Sequence, residues 1–273
     1  MPVYDFTKQK LDLTYLQWNT SRESSGTAGS LLKAFEVNRG KKTYYKLSSY
    51  DPISGITGME SINELIVSRL LNILGVVHLQ YQLLHADVLI DDRIYDTYLC
   101  SSLDFKEKGD RKITLVDEYD LEKRPGESIL EFSDRMGWAD RFYQMIVVDF
   151  LIINRDRHGA NIELIKHKNH DMIPAPLFDH GLSLIYSCHS EQEVEVFDAM
   201  ADLPVQSFVG SRSLFHNLEL IPNDRLPVFR RLDQRDQDYI FNDLEDCLPA
   251  SYKAKIWEII WKRWEYYEAF RTH

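Results

Sequence analysis

Apolar and polar positions divide the chain into a strand-rich N-terminal region and a helix-rich C-terminal region. Leu31–Val37 and Lys42–Leu47 flank Asn38-Arg39-Gly40, two strand-like runs around a glycine turn, which predicts a β-hairpin. Asp51–Gly58, punctuated by Pro52, Gly55 and Gly58, reads as a loop. From Glu60 to Leu74 the apolar positions Ile62, Leu65, Ile66, Leu70, Ile73 and Leu74 follow helical spacing, and Gly75 supplies a stop. His78–Ile90 and Arg93–Leu99 predict a second hairpin about Asp91-Asp92.

Past Cys100 the pattern changes. Gly109–Gly126 is polar and reads as a long loop or lid; Ser133–Ile153 reads as one helix. Ile162–Ile165 and Met172–Phe178 predict two short strands about a polar turn. A final helix from Ala250 to Phe270 carries Ile256, Ile259, Ile260, Trp264 and Tyr267 on one side. Strands and helices segregated in this way predict an α+β fold. Two lobes follow, residues 1–100 and 101–273, with a boundary near Leu99–Asp104 and a ligand cleft between them.

Composition narrows the function. At 273 residues and 44% hydrophobic, the chain can bury a substantial core. A net charge of -11 repels phosphate backbones and anionic headgroups, which argues against direct nucleic-acid or membrane binding. Cys100, Cys188 and Cys247 match no zinc spacing and read as reduced thiols. Met1–Lys10 lacks the apolar core of a signal peptide, and no apolar run is long enough to span a bilayer. These features together predict a cytoplasmic protein.

The chemistry concentrates in two segments. Asn154-Arg155-Asp156-Arg157-His158-Gly159-Ala160-Asn161 is a polar loop between an apolar helix and an apolar strand. Asp179-His180-Gly181 follows the second strand, so a short hairpin brings Asn161 and Asp179 together. Phosphoryl transfer needs these residue types: a carboxylate to take the acceptor's proton, and oxygen donors for Mg²⁺. Asp156 fits the first role; Asn161 and Asp179 fit the second. Upstream, Ser24-Ser25-Gly26-Thr27-Ala28-Gly29 has small residues whose backbone N–H groups can wrap a phosphate. Lys46 can contact phosphates from its strand, with Glu60 or Glu64, one helical turn apart, to hold it.

The string Asp156-x-His158-x-x-Asn161 followed by Asp179 resembles the catalytic and metal-binding segments of the HipA-like protein Ser/Thr kinases. Asn63-Glu64 at the start of an amphipathic helix and the Ser/Gly loop before Leu31 resemble their counterparts there. The Asp-Arg-His-x-x-Asn string is also similar to the catalytic loop of phosphoinositide kinases. The resemblance covers Ser24 to Ser183. It implies a bilobal, protein-kinase-like fold that uses ATP and Mg²⁺, with Asp156 as base and His158 buttressing the catalytic loop. Asn161 and Asp179 hold magnesium, and Lys46 meets the α- and β-phosphates with Glu64 as its partner. Ser24, Ser25, Gly26 and Thr27 border the phosphates, and Leu99–Ser101, including Leu99 and Ser101, form the hinge that meets adenine. It also implies a protein substrate, autophosphorylation at Ser24 or Ser25 and an antitoxin-like partner.

Rival readings are a metal-dependent hydrolase using Asp156, His158, Asp179 and His180, a nucleotide-binding module without catalysis, and a kinase for a lipid or small molecule. The hydrolase set matches no known zinc spacing. The binding module leaves the full catalytic set unexplained. A lipid acceptor sits poorly with an acidic chain that has no basic stretch. Val205–Leu218, with Ser207, Ser211, Arg212 and Ser213, reads as a border of the acceptor site.

Overall fold

The computed structural model describes residues 5–19, 31–168 and 171–272. Ser24, Ser25, Gly26 and Thr27 of the expected phosphate loop lie outside the described residues. The first lobe is built on β1 (Phe6–Asp12), β2 (Lys33–Asn38), β3 (Lys41–Lys46), β6 (Gln82–Ile90) and β7 (Arg93–Leu103). These form one five-stranded sheet in the order β1-β6-β7-β3-β2. A two-stranded ribbon, β4 (Tyr50–Asp51) with β5 (Gly55–Ile56), sits in the Asp51–Gly58 loop. Both expected hairpins form, and both residues of the Asp91-Asp92 turn take positive φ. Strand β1 is an addition to the expected elements; it runs parallel to β6 and closes one edge.

Helix α1 (Glu60–Leu74) has the predicted bounds, and Gly75 caps it in the left-handed conformation. Leu65, Ile66, Val67, Leu70 and Leu71 are fully buried, each contributing roughly 1.5–3 kcal/mol by burial. Strand alternation assigns the two faces of the sheet. Tyr45, Leu47, Leu84, Ala86, Val88, Ile90 and Leu99 pack with Leu13, Leu16 and Leu32 on one face. Lys46 and its register partner Cys100 turn to the other, toward α1.

β7 runs through the expected boundary at residue 100 and ends at Leu103. The crossing between lobes is the stretch from Asp104 to β8 (Arg111–Thr114), which already belongs to the second lobe. There β8 pairs with β10 (Glu163–Lys166), and β10 with β11 (Met172–Pro174). The segment expected as a lid is therefore β8 followed by α2 (Leu115–Glu122). Thr114 caps α2, whose Leu115 is fully buried and Glu118 nearly so while Asp117, Asp120 and Glu122 face solvent, a small amphipathic unit that polarity alone conceals.

The single helix expected over Ser133–Ile153 is two helices, α3 (Ile129–Arg135) and α4 (Ala139–Ile152). Gly137, at a φ of 75°, breaks the run, and a Ser128/Glu131 capping box starts α3 earlier than the apolar pattern suggests. On α4 pack α6 (Leu214–Glu219) and α8 (Ala250–Thr272), the latter as expected; α5 (Glu191–Val196) packs on α8, and α7 (Asp236–Ile240) on α1. Two two-residue strands, β9 (Asp156–Arg157) and β12 (Gln206–Ser207), pair in parallel beside them. The main core is continuous from α1 through α4 to α8, so both lobes share it. Arg69 of α1 reinforces that junction: it forks onto Asp5 and donates to the carbonyls of Ile240 and Asn242. The architecture is α+β and bilobal, with a sheet-rich first lobe and a helical second one.

Candidate active site

A cleft of about 600 Å³ lies between the lobes. Its walls include Lys33, Lys46, Asp156, His158, Asn161 and Asp179, so the distant segments singled out in the sequence meet in one place.

Lys46 sits at the end of β3 with its side chain 12% exposed. Its Nζ donates to Glu64 Oε1 at 2.6 Å and to Asp179 Oδ1. Burial works against the ammonium, but Asp179 and then Glu64 outweigh it and hold the Lys46 pKa above its ordinary value. Glu60, the other candidate partner, is occupied elsewhere: its carboxylate accepts from the Ser49 hydroxyl and backbone N–H. Glu64 also reaches the segment that carries Asp179, accepting the His180 backbone N–H at 2.9 Å. Beside it, fully buried Asn63 donates to the carbonyls of Gly181 and Ser183, each at 3.0 Å. Gly181 makes this approach feasible, because a Cβ there would stand 3.1 Å from Glu60 Cβ. One helix thus fixes both the lysine and the Asp179 loop.

The Asp156 segment is built on a second ion pair. Asp149 interrupts the apolar face of α4, and Arg157 forks onto it. Asn154 donates to the same carboxylate, and Ile153 ends α4 in the left-handed conformation. Arg157 Nη1 donates to the carbonyls of Phe178 and Asn161, at 2.7 and 3.3 Å. It therefore ties the Asp156 segment to the residue before Asp179. Asp179 itself takes a φ of 62°, an uncommon left-handed conformation for a non-glycine residue.

Asp156 faces the cleft from β9. Its Oδ1 is buried without a hydrogen-bond partner among the described residues. Burial pushes its carboxyl above the ordinary value, with His158 opposing. His158 Nε2 stands 3.8 Å from Asp156 Oδ2, beyond hydrogen-bond reach but close enough to support the carboxylate electrostatically. For Asp179, burial raises the carboxyl, but Lys46 and Lys33 outweigh it and hold it well below the usual range.

The donor set fits Mg²⁺. Asn161 Nδ2 donates to the Asp156 carbonyl at 2.9 Å, which presents the amide oxygen on the opposite side. With ionised Asp179 this gives two oxygen donors, and the remaining positions suit water and phosphate. A zinc-type hydrolase site is not supported. Among the described residues no three His, Cys, Asp or Glu side chains converge as a metal site. His180, required for that set, is 1% exposed, faces Glu64 and is held neutral by burial and by Arg157.

The expected hinge residues take another place. Leu99 and Ser101 lie inside β7, and strand alternation turns them from the cleft; Leu99 packs in the far-side cluster. Cys100, Ser102, Leu103, Asp104 and Phe105 line the cleft instead. The expected hinge falls too early in the chain because β7 continues past Leu99. Lys33 went unmarked in the sequence; it pairs in register with Lys46 and so shares its face of the sheet. Asp149 had a legible signal: a lone carboxylate inside an otherwise apolar helix needs a buried partner. Val205–Leu218 does adjoin the site, since Gln206 is in register with Asp156.

No protein-family description and no curated protein matches the chain. Solved structures do match. The proinflammatory kinase CtkA of Helicobacter pylori aligns over 97% of this chain and 98% of its own, with TM-score 0.65 and 16% identity. HipA of the Shewanella oneidensis toxin–antitoxin system, solved with HipB and operator DNA, aligns over 93% of this chain and 68% of its own. Its TM-score is 0.51 and its identity 15%. The chain has the HipA-like kinase fold.

Proposed function

We propose that this chain, built on the HipA-like kinase fold, is an ATP- and Mg²⁺-dependent phosphotransferase acting on protein Ser/Thr hydroxyls, its own included. The observation that carries the reading is the convergence in one cleft of Lys46–Glu64, Asp156, Asn161 and Asp179, drawn from four separate segments. Asp156 takes the proton from the acceptor hydroxyl through its unpartnered Oδ1. Lys46, already cationic and fixed by Glu64, holds the phosphates in place. Asn161 and Asp179 would hold Mg²⁺, which when bound would supply charge neutralisation at the phosphoryl group. The rate then comes from positioning and charge, both supplied by the two ion-pair frameworks.

A protein acceptor suits the site because β12 lies beside Asp156, offering Gln206 and Ser207 as a border for an incoming chain. Incubation of the purified protein with γ-labelled ATP and Mg²⁺ tests the reading. Label on the wild type but not on Asp179→Asn, mapping to Ser24 or Ser25 by mass spectrometry, is expected. Absence of label on the chain and on added protein acceptors would count against a protein kinase. A partner analogous to HipB is tested by co-purification from the native host, with an inhibitory chain as the expected result.

A further inference from the structure

In the same cleft three further charged side chains meet. Lys112 Nζ stands 3.1 Å from Asp104 Oδ1 and 3.7 Å from Glu163 Oε2, and lies over the Phe105 ring at 3.9 Å. All four residues line the cleft. The two carboxylates differ. Asp104 accepts the Lys106 backbone N–H and the closer approach of Lys112, and these outweigh burial to hold its carboxyl below the ordinary range. Glu163 Oε2 is buried and makes no hydrogen bond among the described residues, since 3.7 Å is too long for one. An acceptor left in that state is costly unless a donor arrives, about 1–3 kcal/mol for a buried polar group.

The position of Glu163 says what kind of donor. It follows Asn161 by two residues, at most about 7 Å of chain. Asn161 belongs to the phosphate end of the proposed site. Next to the phosphates in a nucleotide comes the sugar, and the base lies farther out. A carboxylate oxygen accepts hydrogen bonds, and a ribose diol offers two hydroxyl donors.

Resting on the nucleotide reading above, we infer that Glu163 Oε2 accepts a hydrogen bond from the ribose 2′,3′-diol, making this carboxylate the cleft's discriminator for a ribonucleotide. Lys112 positions the group between Asp104 and the incoming sugar. A site built to accept a hydroxyl rejects the analogue lacking it, because the buried acceptor stays unpaired.

Calorimetric titration with ATP and with 2′,3′-dideoxy-ATP, both with Mg²⁺, tests the inference on the wild type and on Glu163→Ala. The wild type is expected to favour ATP at least about tenfold, and Glu163→Ala to bring that ratio close to one. Equal affinity of the wild type for both nucleotides would overturn the inference while leaving the phosphotransferase reading intact. An unchanged preference in Glu163→Ala would place the discrimination on another residue and overturn the role of Glu163. Binding of neither nucleotide would overturn the nucleotide reading, and this inference with it. Should Glu163→Ala misfold, Glu163→Leu, closer in size and without an acceptor oxygen, reads the same ratio with the same two outcomes.

Discussion

The site holds two buried ion pairs with opposite characters. Arg157–Asp149 is saturated: the guanidinium meets Asp149 through Nε and Nη2 and two carbonyls through Nη1, and Asn154 completes the carboxylate. Lys46 instead faces two carboxylates, Glu64 and Asp179, at the wall of an open cleft. One ammonium shared between two carboxylates leaves carboxylate oxygens open to a further cation. The two arrangements adjoin at Phe178-Asp179, yet one closes a scaffold and the other leaves chemistry unfinished.

Breaking the unfinished pair should cost activity and spare the fold. Asp179→Asn is expected to lower phosphoryl transfer about 10³-fold or more, with a smaller loss of stability than Asp149→Ala, read by labelled-ATP turnover beside calorimetry. The saturated pair should respond the other way. Asp149→Ala strands a buried guanidinium and is expected to lower unfolding free energy by about 3–5 kcal/mol in a denaturant titration. A stability loss in Asp179→Asn equal to that of Asp149→Ala would erase the distinction.

Smaller changes sharpen it. Glu64→Gln keeps an acceptor for the His180 N–H but removes the charge that steadies Lys46. A loss of about 10–100-fold in kcat/KM is expected, and unaltered kcat/KM would show that Asp179 alone suffices to place the lysine. Asp156→Asn should raise stability at neutral pH by about 1 kcal/mol, because it relieves a buried carboxylate with an unpaired oxygen. The sign follows from the raised folded-state pKa of Asp156. Between the unfolded and folded values the native state binds more proton, so stability falls as pH rises through that window. The gain in Asp156→Asn is therefore full above the window and vanishes below the ordinary carboxylate range. Activity runs in parallel: the base is lost as pH falls through the raised value.

What the sequence disclosed depended on whether the signal was local. Glu60–Leu74, the two hairpins and the final helix carry their period and their stops within one stretch, and each forms as predicted. That Asp156, Asn161 and Asp179 share one cleft was legible because a short hairpin joins their segments. Three things were not local. Gly137 divides one apolar run into α3 and α4 although its periodicity is continuous. β8 and α2 look like a polar loop until β10 supplies the partner strand. Leu99 and Ser101 were expected at a hinge, and only the register of β7 with β3 shows which residues face the cleft. Lys33 was hidden for the same reason, since its place opposite Lys46 is a property of strand pairing.

The most direct test of the central claim compares wild type and Asp156→Asn for two quantities at once, Mg²⁺–ATP affinity and formation of ADP with a phosphorylated acceptor. The account predicts similar ATP affinity in both and transfer by the wild type alone. Comparable transfer by both proteins, or no ATP binding by the wild type, would contradict it.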